Sequence, residues 1–174
     1  FRMSADMLRE FVAFRNSGYP SPRVIARVPY QDLHATAGPV DLVIVSPPEF
    51  MTQAVRLADH RNSQGMNVVV VSPQQIYNEF SSGARDATAI KRFMRMLYDR
   101  AGNDPLQMPR HLLLFGDGSY NNLSQLSANQ NFIPTYQSAE SIDPRRCYVS
   151  DDYFGLLDPT EGEATGDLLD IGVG

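Results

Sequence analysis

Tryptophan is absent from this chain of 174 residues, cysteine occurs once, at Cys147, and lysine once, at Lys91. A single cysteine excludes an internal disulfide and leaves the redox compartment unread. Neither the histidines, His34, His60 and His111, nor Cys147 fall into H-x-x-x-H or C-x-x-C spacing, so a zinc site has no support. No apolar stretch reaches the roughly 18 residues that a membrane-spanning helix needs. A basic surplus is lacking too: 15 basic against 20 acidic residues give a net charge of -5, whereas a nucleic-acid footprint requires a basic stripe. Nucleic acid is therefore dropped as a partner. What is present, 43% hydrophobic and 20% charged side chains, is the composition of an ordinary globular domain. A domain of this length hides roughly 70% of its unfolded surface, so it can hold a core without disulfides or a structural metal.

The acidity is unevenly placed. From Glu140 onward there are nine acids against two bases, Arg145 and Arg146, while the first 139 residues carry eleven against thirteen. Such a cluster reads as a solvated loop face, a cation site or an electrostatic docking surface. The chain starts at Phe1 and ends on an apolar run through Ile171 and Val173, so both ends read as cuts in a longer protein, and targeting signals cannot be read.

Residues 1–39 stand apart from the pattern that follows. Residues 8–14 suit either a helix face or a half-buried strand, Gly18, Pro20 and Pro22 break them, residues 23–28 suggest a short strand, and residues 29–39 read as a linker. A domain boundary is expected near residues 36–40, giving a second region of 40–174. There the apolar run 40–45 ending at Pro47-Pro48 predicts a buried strand. Met51, Ala54, Val55, Leu57 and Ala58 recur at helical spacing before Gly65, and residues 66–71 predict a second buried strand. Strand, helix and strand within about thirty residues imply a parallel unit, hence an open parallel α/β sheet with helices on both faces. A short helix is expected to open at Ser72-Pro73, and a longer one at Asp86 with the face Ile90, Phe93, Met94, Leu97 and Tyr98. The third strand spans 111–115. Beyond it residues 121–131 and 136–146 read as loops, 132–134 as a short extended piece, 148–157 as partly extended, and 168–173 as the last strand.

Ligands of open parallel sheets bind beyond the carboxyl ends of the strands, which directs attention to the loops after Val45, Val71 and Phe115. The third, Gly116-Asp117-Gly118-Ser119-Tyr120, offers permissive backbone, the Asp117 carboxylate and the Ser119 hydroxyl. A phosphate cradle would need an amphipathic helix directly after the glycines, and Asn121-Asn122-Leu123-Ser124 supplies no such period. A Cys/His dyad within the chain is unsupported: His111 starts a strand at the far end of the sheet, His34 lies in the linker and His60 on a charged helix. Asp151 and Asp152, with Asp158, Glu161, Glu163, Asp167 and Asp170, provide hard oxygen ligands without EF-hand spacing. Asp151, Asp152 and Asp170 are the candidate calcium ligands. No other cofactor is implied.

Four segments in order carry a resemblance. Ile76-Tyr77-Asn78-Glu79-Phe80-Ser81-Ser82-Gly83 with the Ala89-Ile90-Lys91-Arg92-Phe93 helix, then Leu113-Leu114-Phe115-Gly116-Asp117-Gly118-Ser119-Tyr120, Ile133-Pro134-Thr135-Tyr136-Gln137-Ser138, and Tyr148-Val149-Ser150-Asp151-Asp152-Tyr153-Phe154-Gly155-Leu156-Leu157-Asp158 resemble the gingipain-type cysteine peptidases, its type IX secretion sortases above all. The resemblance covers roughly residues 40–174 and implies a caspase-like α/β fold, of which this is the first subdomain, following the end of a β-rich region in residues 1–39. It implies that the catalytic histidine, in a Gly-His-Gly context, and the catalytic cysteine belong to a second subdomain. Neither motif occurs here, and Cys147 does not match the nucleophile position, so no catalytic residue is carried over and the fragment alone is expected to be inactive. The parent would be a cysteine peptidase of a Gram-negative cell surface. It would cleave the C-terminal secretion signals of type IX cargo and attach the cargo to a surface glycolipid, with cargo signal domains and type IX secretion components as partners. Asp117 and Ser119 then fall at the substrate-facing edge. Two readings from other classes stay open: a non-catalytic binding or assembly module that keeps the fold, and a nucleotide-binding flavodoxin-like domain using the Gly116 loop.

Overall fold

The computed structural model describes residues 15, 27–102, 104–119, 121, 131–139, 142–145, 147–162 and 166–174. Contacts divide the chain into Phe1–Tyr30 and Gln31–Gly174. In the first unit the described residues, 15 and 27–30, have no regular secondary structure, and the readings of residues 8–14 and 23–26 fall outside the described set.

The second unit is built on four parallel strands, β1 (Leu42–Val45), β2 (Val68–Val71), β3 (His111–Leu114) and β6 (Gly172–Val173), in the order β2-β1-β3-β6. Three helices join the first three of them: α1 (Met51–Ser63) between β1 and β2, and α2 (Pro73–Phe80) and α3 (Ala87–Ala101) between β2 and β3. Alternation along the strands sorts side chains to two faces. Val43, Val45, Val71, Leu112 and Leu114 point into the larger core with Ile76 of α2 and Ile90, Phe93 and Met94 of α3. Leu42 and Ile44 face the other way, onto Ala54 and Ala58 of α1, whose i, i+4 methyls form the buried stripe of that helix. The sheet therefore carries helices on both faces, as expected. Val55, read as part of the inner stripe of α1, is instead 42% exposed. Alanine at 54 and 58 brings the helix axis close, and the larger residue is left at the flank.

Helix starts follow local chemistry. Ser72 caps α2 in a reciprocal box with Gln75, with Pro73 in the first turn, and the Asp86 carboxylate accepts from Thr88 N at 2.8 Å to cap α3. Part of the stretch read as linker is docked on α2. Residues Leu33–Ala35 form a 3-10 turn, Leu33 is buried, and its N–H donates to both oxygens of Glu79 at 2.9 and 2.8 Å.

Beyond β3 the structure departs from the expectation in two places. Residues 136–146 contain a short strand, β4 (Tyr136–Gln137), paired antiparallel with β5 (Val149–Ser150), and Ser138 N donates to Tyr148 O at 3.0 Å. The last strand is also shorter than 168–173, because Leu168 and Leu169 are exposed by 78% and 49% and only Gly172–Val173 joins the sheet. Asp170 accounts for this. Its N–H donates to Gly155 O at 3.0 Å and its carboxylate accepts from Leu157 N at 2.6 Å, so the chain packs on the 3-10 turn Asp152–Gly155 before it reaches β3.

Candidate functional site

Strand order sets where a site can form. From β1 the chain goes to β2 on one side, then returns past β1 to β3 on the other, and such reversals open a crevice at the carboxyl edge of the sheet. A cleft of about 370 Å³ lies at that edge, beyond β3 and β6, and its lining includes Gly116, Asp117, Thr135, Ser150, Asp151 and Gly174.

One wall is the loop after β3. Phe132 N and Ile133 N both donate to Asp117 O, at 2.9 and 3.1 Å, clamping this loop against residues 132–135. The approach is so close that a Cβ at Gly118 would sit 2.5 Å from Thr135 Oγ1 and 2.6 Å from Ile133 O, and glycine is the residue that fits. The Asp117 side chain folds back to accept from Gly118 N at 2.9 Å, while remaining exposed at the rim. Ser119 does not line the cleft. It donates to Asn131 Oδ1 at 2.6 Å and braces the loop from behind.

The opposite wall is the β4–β5 hairpin and its continuation. Asp151 is exposed at the rim, yet its carboxyl is raised above the usual range, first by partial loss of hydration and then by repulsion from Asp152. Asp152 points into a neighbouring cleft of about 470 Å³, which shares Val149 and Ser150 with the first. Asp170 belongs to neither. It stands with Asp158 and Glu161, the carboxylate oxygens of these three lying within 4.8 Å of one another. Asp151 and Asp152 are not members of that group. The Asp170 oxygens accept from Tyr98 OH at 3.3 Å and Leu157 N at 2.6 Å, and Glu161 accepts from Asp158 N at 3.3 Å.

The remaining reactive side chains are dispersed. Cys147 is exposed two residues before β5, His111 opens β3 at the amino edge of the sheet, His60 is exposed near the end of α1, and His34 stacks on Phe80 with centroids 4.6 Å apart. Sequence reasoning missed Tyr136 and Tyr153. Their rings stack at 3.6 Å and 5° beside the second cleft, joining the hairpin to the 3-10 turn. Two tyrosines within quoted motifs were visible, but their pairing depends on a strand only two residues long.

Chemically, this arrangement offers a carboxyl-edge cleft lined by the Asp117 and Asp151 carboxylates and by the backbone of the loop after β3. No helix among the described residues is long and apolar enough to cross a membrane. No curated protein matches this sequence. A crystal structure of dimeric latent PorU from Porphyromonas gingivalis is similar at a TM-score of 0.78 and 37% identity, over 91% of this chain and 16% of that one. The chain thus spans about a sixth of that relative's length. Residues 35–174 match the model of peptidase family C25, and with the parallel caspase-like sheet in place, the chain belongs to that family, the gingipain family of cysteine peptidases.

Proposed function

We propose that this chain is the first subdomain of a PorU-like cysteine peptidase that acts as a sortase on type IX secretion cargo at the outer surface of a Gram-negative cell. The likeness to PorU at 37% identity over 91% of the chain carries this reading. Family membership supports a cysteine peptidase parent, and the carboxyl-edge cleft gives an extended peptide a place to lie. In the parent, a cysteine thiolate supplied by the second subdomain attacks the carbonyl that joins cargo to its C-terminal signal. The histidine protonates the departing amine, the signal domain leaves, and a thioester holds the cargo. The amine of a surface glycolipid then attacks the thioester, forms an amide and returns the thiol. This chain contributes the fixed wall: the loop after β3 with Asp117 on one side and the hairpin with Asp151 on the other.

The test uses the full-length protein and a cargo fused to its C-terminal signal, with product mass as the readout. Expected are thiol-dependent loss of the signal domain and, with glycolipid amine present, a cargo heavier by that lipid. Cleavage untouched by a thiol alkylator, or none at all, would remove the reading, and the family fold would then serve as a binding or assembly scaffold.

A further inference from the structure

The only lysine of the chain, on α3, reaches through space to the acidic C-terminal segment. Lys91 projects from α3 and is 8% exposed, on a helix whose other inward residues, Ile90, Phe93, Met94 and Leu97, are apolar. Burying an ammonium is unfavourable unless specific partners receive it. Lost hydration lowers its pKa, while the charges of Glu161, Asp167 and Asp170 raise it and Arg95 lowers it further. Three contacts explain what the charge holds. Lys91 Nζ donates to the Glu161 carbonyl at 2.8 Å, in the turn that closes the acidic segment. It lies 4.6 Å from the centroid of the Tyr153 ring, in cation–π geometry. Next to it, Gly162 has φ +125°, and a Cβ there would fall on Nζ, so the turn can close over the ammonium with glycine at that position.

Tyr153 carries the connection onward. Its hydroxyl is 3.1 Å from Thr88 Oγ1 on α3, and its ring stacks on Tyr136 of β4. The partner strand β5 holds Val149 and Ser150, which line both clefts. We infer that Lys91 is a positioning residue for the cleft: one N–H fixes the acidic turn, and the charge seats the Tyr153–Tyr136 stack that sets where β5 stands. Only its effect on substrate rests on the peptidase reading; the geometric role stands by itself.

Peptide-resolved amide exchange on the full-length protein tests this with Lys91→Met, Tyr153→Leu and the double variant. Lys91→Met is expected to exchange roughly tenfold faster over residues 136–138, 148–150 and 156–162, with β1, β2 and β3 unchanged. In the Tyr153→Leu background the same change should add nothing over 136–138 and 148–150, while still loosening 156–162 through the lost Glu161 contact. Tyr153→Phe, which keeps the ring, should protect the hairpin like wild type. Unchanged hairpin exchange in Lys91→Met, additive effects over 136–138 and 148–150 in the double variant, or a rise across β1, β2 and β3 would each overturn the inference. Cargo cleavage by the same proteins is read separately: an inactive wild type removes the peptidase reading and leaves the exchange result standing.

Discussion

Glu79 gives the sharpest prediction, because one carboxylate holds a whole segment. Its oxygens accept from Gln31 Nε2 at 2.7 Å, from Leu33 N at 2.9 and 2.8 Å, and from His34 N at 3.2 Å. Burial pushes the carboxyl up, but these hydrogen bonds and the nearby His34 together hold it below its ordinary value. A lowered folded-state pKa means that the contribution is complete above the unfolded value of about 4.3 and is lost as pH falls through the folded one. In Glu79→Gln the amide keeps one acceptor oxygen and turns an NH₂ group toward N–H donors. Charge-assisted bonds contribute about 1.5–3 kcal/mol each, and partial compensation by the remaining oxygen leaves a net loss of about 2 kcal/mol. Local opening of residues 31–36 should therefore become roughly 30-fold easier at about pH 7, read as amide exchange of Leu33, His34 and Thr36. As pH falls below the unfolded value and through the lowered folded one, the carboxylate is neutralised and the two proteins should converge. A gap below threefold near neutrality, or one that persists undiminished in acid, would refute the argument.

Other predictions follow from the core, the loop and the acids. Phe93, fully buried on α3 and 5.5 Å from Phe80, should cost about 3–5 kcal/mol on truncation to alanine, measured by urea unfolding; a loss under about 1.5 would mean that the two faces are not packed as described. Gly118→Ala puts a methyl against Thr135 Oγ1 and the Ile133 carbonyl, so the amide of Ile133 should lose protection by about 1–3 kcal/mol, and unaltered exchange there would contradict the clamp. Calcium is expected to leave the melting midpoint where a chelator leaves it. Both Asp170 oxygens already accept hydrogen bonds, and the Lys91 ammonium lies in the field of Glu161 and Asp170. A midpoint that climbs with calcium would contradict this, since only binding to the native state stabilises it, and loss of that climb in Asp158→Asn would place the ion at Asp158, Glu161 and Asp170.

Local rules carried the reading of the first half. A run of four valines is too short for a helix, Ser72-Pro73 and Asp86 announce their own helices, and the stripe from Ile90 to Leu97 has one period throughout. Such elements are specified by neighbours in sequence. The second half is specified by distant partners: β4 and β5 pair through two residues each, and Leu168 and Leu169 look like strand until Asp170 is seen tied to Leu157 and Gly155. Candidate residues divided in the same way. Asp117, expected at the substrate-facing edge, and Asp151, expected among calcium ligands, line one cleft, whereas Asp152 lines its neighbour and Ser119 braces the loop from behind. Lys91 stands out in the sequence only as the lone lysine, and its place on the inner side of α3 is visible only from its burial in the fold.

The acidic surplus acquires a physical cause from these contacts. A helix or ladder satisfies its own backbone N–H groups, whereas a long irregular segment must find acceptors elsewhere. Carboxylates supply them along this edge. Asp117 accepts from Gly118 N, Glu161 from Asp158 N, Asp167 from Gly162 N and Asp170 from Leu157 N. Each of these acids lies one to thirteen residues from its donor, so carboxylates serve as local acceptors for irregular backbone. Negative charge accumulated in this way repels itself, and a buried cation is one means of offsetting it without neutralising the acceptors. Lys91 is placed to do so from the helix that the segment packs against. The edge that faces the cleft can thus be stiff while nearly free of regular structure, and a wall that keeps its shape lowers the entropy lost when an extended peptide is held against it.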